Sequence, residues 1–135
     1  MNTTKLLSGT VIGAIVAFIM GYLIFGLALN SYMAENTNST GESPDFLWLI
    51  LGHVVLALFY TYVFLQWAGI KTAAGGAKAA AIMTLLLSLG SNWIWYATSG
   101  LFTGGIAATV VDAVGATIVW AVAGAAIGWM LGRGE

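Results

Sequence analysis

Residues 103–131 read TGGIAATVVDAVGATIVWAVAGAAIGWML, a long apolar run that contains one charged residue, Asp112. Roughly 20 mostly apolar residues are enough to cross a bilayer as a helix. Three similar runs precede this one, at about 6–29, 44–67 and 77–99. The sequence therefore predicts an all-α polytopic membrane protein, an up-down bundle of four transmembrane helices that forms a single domain over residues 1–135.

The overall composition is that of a protein built for lipid. The chain is 60% hydrophobic and 7% charged, whereas soluble domains carry about 25% charged residues. A net charge of -1 leaves no basic patch for nucleic acid. With no cysteine and one histidine, the chain has neither disulfides nor thiolate ligands, and one chain cannot build a bis-histidine haem or a multi-histidine zinc site. We expect no cofactor and no metal.

The charged residues at the ends of the runs predict the orientation. The basic residues fall at the N-terminus, in the second loop and at the C-terminus, three places that share one face of a four-span protein. They are Lys5, Lys71, Lys78 and Arg133. The first loop and the residues after it are acidic, with Glu35, Glu42 and Asp45. The positive-inside rule then predicts that both termini are cytoplasmic. The first run is longer than the apolar part of a signal peptide, so we expect a retained helix.

The breaks between the runs are polar or rich in glycine. Residues 30–43 predict a short surface loop, residues 71–78 a glycine-rich turn, and residues 98–105 an uncharged turn. Ser43, Pro44 and Asp45 suit an N-cap, a first helical position and an acid in the first turn. Because all of these loops are short, we expect consecutive helices to be antiparallel neighbours.

Small residues recur at four-residue spacing in two of the helices. Such a GxxxG pattern lets helix backbones approach closely in lipid. The glycines are Gly9 and Gly13 in the first helix, and Gly124, Gly128 and Gly132 in the fourth. They predict close packing of the first helix with the fourth, or of the fourth helix on another subunit. Ordinary contact within the bundle is the simpler interpretation.

Polar side chains of all four helices are predicted to lie at a similar depth in the outer half of the membrane. They are Tyr22, His53, Asn92 and Asp112, with Tyr60 two turns below His53 and Ser88 on the polar stripe of the third helix. An unpaired carboxylate at such a depth costs about 2.5–3.5 kcal/mol. We therefore expect Asp112 to face the interior and to approach His53, with Asn92 bridging the two.

Three interpretations of this polar layer stay open. In the first, the layer is a structural element that fixes the register of the helices. In the second, it is a proton or ligand site that opens to the outer face. In the third, the fourth helix spans the membrane over residues 113–132, which is long enough, and Asp112 lies at the interface. The tryptophans near the helix ends fit an interfacial belt, whereas Trp120 lies mid-span and is expected to fill core volume.

Motifs of common enzyme classes are absent from the sequence. It contains no P-loop, no HExxH, no GxSxG and no GxGxxG after a strand. Ser88 or Ser91 could be combined with His53 and Asp112 as a hydrolase triad, but no nucleophile elbow or oxyanion element accompanies them. We expect a protein that is not an enzyme.

Three stretches resemble small four-span bacterial membrane proteins of unknown function. They are FIMGYLIFG at 18–26, WAGIKTAAGGAK at 67–78 and GAAIGWMLGR at 124–133. The resemblance implies a multi-pass protein of the bacterial inner membrane, and it carries neither an activity nor functional residues.

The expected function follows from the small size of the chain. Almost no mass lies outside the four runs, which favours an accessory or interaction subunit of a membrane assembly, or a homo-oligomer. Its partners would be membrane lipids, other membrane subunits or copies of itself. The alternative is a small oligomeric transporter or channel that uses the His53, Asn92 and Asp112 layer for a proton or a small solute.

Overall fold

The computed structural model describes residues 1–38 and 43–134, which form helices and connecting turns with no strand among them. Four helices are long and apolar enough to cross a membrane, so the predicted all-α class with four membrane-length helices is confirmed. We call them the first span (Thr3–Ala28), the second span (Phe46–Ala68), the third span (Ala73–Thr98) and the fourth span (Ile106–Gly132). Glu42 and Glu135 lie outside the described residues.

The ends of the spans are set by capping residues. The Asn2 side chain accepts a hydrogen bond from the Lys5 amide, and the second span starts where the Asp45 carboxylate accepts one from the Leu47 amide, at 3.1 Å. Asp45 is thus the N-cap, and the prediction that Ser43 caps a helix beginning at Pro44 is wrong. A carboxylate directly before the first helical residue satisfies an amide that no helical carbonyl can reach.

The first two spans finish in wider, π-helical turns, Tyr22–Ala28 and Val63–Ala68. Gly69 follows the second span with φ at +62°, a left-handed conformation that glycine adopts without steric cost. The Ile70 amide then donates to the Phe64 carbonyl at 3.0 Å, which closes the end of the helix.

Two predicted loops contain helical residues. A short helix, Asn30–Asn36, occupies the first half of the predicted 30–43 loop. It meets the connection between the third and fourth spans, where the Gly104 amide donates to the Asn36 carbonyl at 2.9 Å. The predicted turn at 71–78 is mostly the first turns of the third span, because Thr72 caps a helix that begins at Ala73.

The spans do not pack in sequence order. The second packs on the first, the first on the fourth and the fourth on the third, each antiparallel to its neighbour. The second and third spans scarcely approach each other, and the side-chain hydrogen bond that joins them is between the Tyr60 and Thr84 hydroxyls. The prediction that all consecutive helices are neighbours is therefore wrong for this pair. We call the gap between the second and third spans the open side.

Glycines explain this order of packing. A methyl group at Gly76 would collide with the Gly124 carbonyl oxygen, and one at Gly128 with the Thr72 carbonyl oxygen. Gly124 and Gly128 of the fourth span thus lie against the start of the third span of the same chain, which agrees with ordinary contact within the bundle. A methyl group at Gly13 would lie 2.6 Å from Ile127 Cδ1 in the fourth span and 3.3 Å from Ala57 Cβ in the second. The first span therefore accepts two partners.

Candidate functional site

Three polar residues of the predicted layer lie at similar levels in the structure. His53, Asn92 and Asp112 each stand about 9–11 Å from the end of their span that faces away from the chain termini, at 1.5 Å per residue. Their level agrees with the prediction, but their side chains divide into two separate groups. One group surrounds Asp112 and the other surrounds His53.

The first group joins the third and fourth spans. The Asn92 side-chain amide donates to the Asp112 carboxylate (Nδ2 to Oδ2, 2.8 Å) and to the Thr109 backbone carbonyl at 3.0 Å. Trp93 Nε1 donates to Thr109 Oγ1 at 3.2 Å, and that hydroxyl donates to the Ile106 carbonyl at 2.6 Å. Asn92 is 8% exposed. Both protons of the amide are thus used, and the predicted contact between Asn92 and Asp112 is confirmed.

Asp112 is half-buried and does not lie on the exposed side of its helix. The exposed side of the fourth span carries Val110, Val114, Ile118 and Val122 at four-residue spacing. Asp112 lies away from this stripe, on the side where Asn92 meets it. All four basic residues are near the opposite ends of their spans, so the carboxyl group depends on a neutral amide rather than on a cation at its own level.

His53 belongs to the second group, between the first, second and fourth spans. Its Nδ1 is 2.7 Å from the Leu49 carbonyl oxygen, and because a carbonyl only accepts, Nδ1 carries the proton. Phe18 contacts the ring edge-on at 5.7 Å between centroids, and Trp120 stacks on it at 6.3 Å. A methyl group on Gly21 would lie 3.4 Å from Nε2.

The predicted pairing of His53 with Asp112 is therefore wrong. His53 makes its hydrogen bond within its own helix, and Asn92 bonds to Asp112 without reaching the histidine. The physical reason is the order of packing. Asn92 could bridge the two only if the second span lay beside the third, and the second span instead packs on the first.

The remaining candidates lie around these two groups. Tyr60 is 3% exposed, bonds to Thr84 and stacks on Trp120 with centroids 4.9 Å apart. Trp120 is 6% exposed and fills core volume, as expected. Ser88 is half-buried, one turn beyond Thr84 along the third span. Tyr22 lies in the π-helical end of the first span and is 59% exposed, so it joins neither group.

Sequence reasoning missed two members of the Asp112 group. Thr109 lies three residues before Asp112 on the same side of its helix, and this spacing could have identified it. Trp93 fits the interfacial belt, and only the structure shows its bond to Thr109. Among the described residues, no three His, Cys, Asp or Glu side chains come together in a group that could hold a metal ion.

Shallow depressions also mark the surface of the first span. One, of about 370 Å³, lies between the first and second spans and is lined by apolar residues and His53. Two others run from the end of the bundle that carries the chain termini.

No protein-family model matches the chain, and neither a curated protein nor a solved structure matches it.

Proposed function

We propose that the protein is a small, non-enzymatic membrane subunit that works within an assembly, either with copies of itself or with other membrane proteins. The proposal includes a location in the bacterial inner membrane with both termini in the cytoplasm. The observation that supports it is that the second and third spans scarcely contact each other, while half-buried polar side chains, Ser88 and Asp112, lie on the third and fourth spans.

We infer that Asp112 faces the open side, which then needs a cover of protein or water at this level. A half-buried carboxyl group in contact with hydrocarbon is costly, and Asn92 satisfies only one of its oxygens. Either another protein segment or water must therefore complete the surroundings of this group. A partner helix in the open side would bury the carboxyl group and Ser88 together.

The positions of His53 and Asp112 argue against a hydrolase. A triad requires a serine beside the histidine and a carboxylate that orients the ring. His53 is held by the Leu49 carbonyl, and Asp112 is held by Asn92. The triad of Ser88 or Ser91 with His53 and Asp112 is thus not assembled among the described residues.

The charge distribution supports the proposed orientation. Lys5 Nζ donates to the Leu131 carbonyl at 2.9 Å, and the Lys71 carbonyl oxygen lies against Gly132. Lys5, Lys71 and Arg133 thus lie at one end of the bundle, and Lys78 lies near the same end, in the second turn of the third span. Glu35 and Asp45 lie at the other end.

The orientation can be tested with single cysteines, because the chain has none of its own. In intact cells, Ser39→Cys should react with a membrane-impermeant maleimide added outside, and Thr72→Cys should react only after the membrane is opened. The parent chain without cysteine is the background control. Labelling of position 72 in intact cells would contradict the topology.

The alternative is an oligomeric transporter or channel for a proton or a small solute. The observation that favours it is the amide-held Asp112, since ionisable groups within membrane spans commonly serve ion or proton pathways. In this alternative the open side becomes water-filled when several chains surround it.

Mass measurement of the gently solubilised protein tests the subunit proposal. We expect a species well above the 14.1 kDa of one chain, formed by a multiple of the chain or by a co-purifying membrane protein. A stable monomer without a companion contradicts the proposal. A homo-oligomer that gives pH- or solute-dependent flux in liposomes, lost in Asp112→Asn, supports the transporter instead.

A further inference from the structure

We propose that the end of the bundle that carries both termini holds a binding site for one anionic phospholipid, with the phosphate headgroup near Lys5 and Arg133 and an acyl chain along the first span. The site lies far from Asp112. It goes beyond the proposed function and does not depend on what the assembly does.

The headgroup part is a cavity of about 500 Å³ between the start of the first span and the end of the fourth. Its lining combines two cationic side chains with polar ones. The residues are Asn2, Thr4, Lys5, Ser8, Met130, Arg133 and Gly134. Hydroxyl, amide and cationic donors around one cavity are the groups that bind a phosphate.

Both cations are held in place by other contacts. Lys5 Nζ donates to the Leu131 carbonyl at 2.9 Å, which ties the first span to the fourth at this cavity. The Arg133 guanidinium lies over the Trp129 ring, 4.9 Å from its centroid. Such anchoring reduces the entropy that these long side chains would lose on binding a ligand.

The acyl-chain part is an apolar groove of about 390 Å³ that shares Ser8 and Met130 with the headgroup cavity. Its other lining residues are Leu7, Val11, Ile12 and Ile15. From Leu7 to Ile15 the groove follows the helix for about 12 Å at 1.5 Å per residue. The hydrocarbon of one leaflet is roughly 15 Å deep. The groove therefore extends over most of the hydrocarbon depth of one leaflet.

The pairing of a cationic cavity with an apolar groove identifies the occupant. A free phosphate ion would use the cavity and leave the groove without a role, while a second protein chain would not require two anchored cations beside an apolar groove. A phospholipid with a net negative headgroup uses both parts. Basic pockets at the cytoplasmic side of membrane proteins bind such headgroups, which agrees with the proposed orientation.

The test is native mass spectrometry of the full chain in detergent micelles, titrated with phosphatidylglycerol or phosphatidylcholine. The variant Lys5→Gln/Arg133→Gln removes two charges from the cavity. Its control, Lys71→Gln/Lys78→Gln, removes two charges from the same end of the bundle but from outside the cavity. Ile12→Trp fills the groove while leaving the charges in place. Helix content and thermal unfolding are measured for every variant.

We expect one phosphatidylglycerol per chain to be retained in preference to phosphatidylcholine. The Lys5/Arg133 variant should bind it about thirtyfold more weakly, because each basic residue near a membrane surface contributes about a factor of five. The Lys71/Lys78 control should bind it as the parent does. Ile12→Trp should also weaken binding, by about tenfold, because the acyl chain loses its groove.

Three results would overturn the proposal. Equal losses in the two charge variants would show general attraction of lipid to a basic end. Displacement by millimolar inorganic phosphate, with no effect of Ile12→Trp, would show an anion site only. A dimer that excludes phosphatidylglycerol would show that a second copy covers the groove. If the Lys5/Arg133 variant fails to fold, Ile12→Trp alone decides between loss of binding, which supports the site, and unchanged binding, which refutes it.

Discussion

Replacing Gly76 with alanine should lower the free energy of unfolding by about 2–3 kcal/mol, whereas the same change at Gly90 should leave it unchanged or raise it by up to about 1 kcal/mol. Both glycines lie in the third span. A methyl group at Gly76 would collide with the Gly124 carbonyl oxygen, whereas one at Gly90 would find no atom within 4 Å outside its own helix. The two substitutions therefore differ in packing and share their effect on helix propensity.

The size of the Gly76 effect depends on what the new atom meets. A side chain can rotate away from an added methyl group, but a helical carbonyl can move only with its helix. The third and fourth spans would have to separate along the stripe that includes Gly124, Gly128 and Thr72. Close backbone contact is a main source of helix association in lipid, so its loss has no hydrophobic compensation.

Reversible unfolding in mixed micelles, followed by the fluorescence of the tryptophans, measures both variants against the parent chain. Gly52→Ala in the second span is a further control, since a methyl group there also meets open space. Equal stability of the Gly76 and Gly90 variants would contradict the packing of the third span on the fourth.

How far the sequence predicts this protein can be judged from the same glycines. Length and hydropathy predict the four spans, because a membrane helix must satisfy its backbone internally and cover itself with apolar side chains. The glycine stripe of the fourth span predicts a close contact but not the partner. The sequence predicts a turn at Gly75 and Gly76, because glycine is typical both of turns and of close helix contacts, and only the structure shows that Gly76 serves the contact.

For the polar residues, the sequence predicts the depth of each side chain but not which side chains meet. Depth along a helix can be counted from the sequence, and the levels of His53, Asn92 and Asp112 agree with the prediction. Which of them meet depends on the rotation and order of the helices, and short loops alone do not fix that order. Asn92 and Asp112 lie on consecutive spans that are in extensive contact, so the predicted bond between them forms. His53 lies on a span that packs elsewhere.

Asn92→Leu should lower the free energy of unfolding by about 2–3 kcal/mol, the largest effect that we expect from a polar substitution in this chain. The change removes the donor to the Asp112 carboxylate and to the Thr109 carbonyl at once. Leucine is close to asparagine in size, so the loss is mainly that of hydrogen bonds. A carboxylate without its donor also becomes more costly to keep at this depth.

Two further variants test whether the loss of stability comes from the hydrogen bond between Asn92 and Asp112. Asp112→Asn should change stability by less than about 1 kcal/mol, because its side-chain oxygen still accepts from Asn92. Removing both partners, in Asn92→Leu/Asp112→Leu, should recover most of the stability lost in Asn92→Leu, since replacing both members of a bonded pair with apolar groups can be nearly neutral. We therefore expect the double variant to lose less free energy of unfolding than the sum of the losses in the Asn92→Leu and Asp112→Leu single variants.

The outcome also separates the structural from the functional interpretation of the Asp112 group. If the group fixes helix register, unfolding responds as described, and Asp112→Asn retains the assembly and any activity of the parent chain. If the carboxyl group binds a proton during transport, Asp112→Asn folds normally and abolishes pH-dependent flux in liposomes. Strictly additive effects of the two leucine changes would contradict both interpretations, because each requires that Asn92 and Asp112 act as a pair within the membrane.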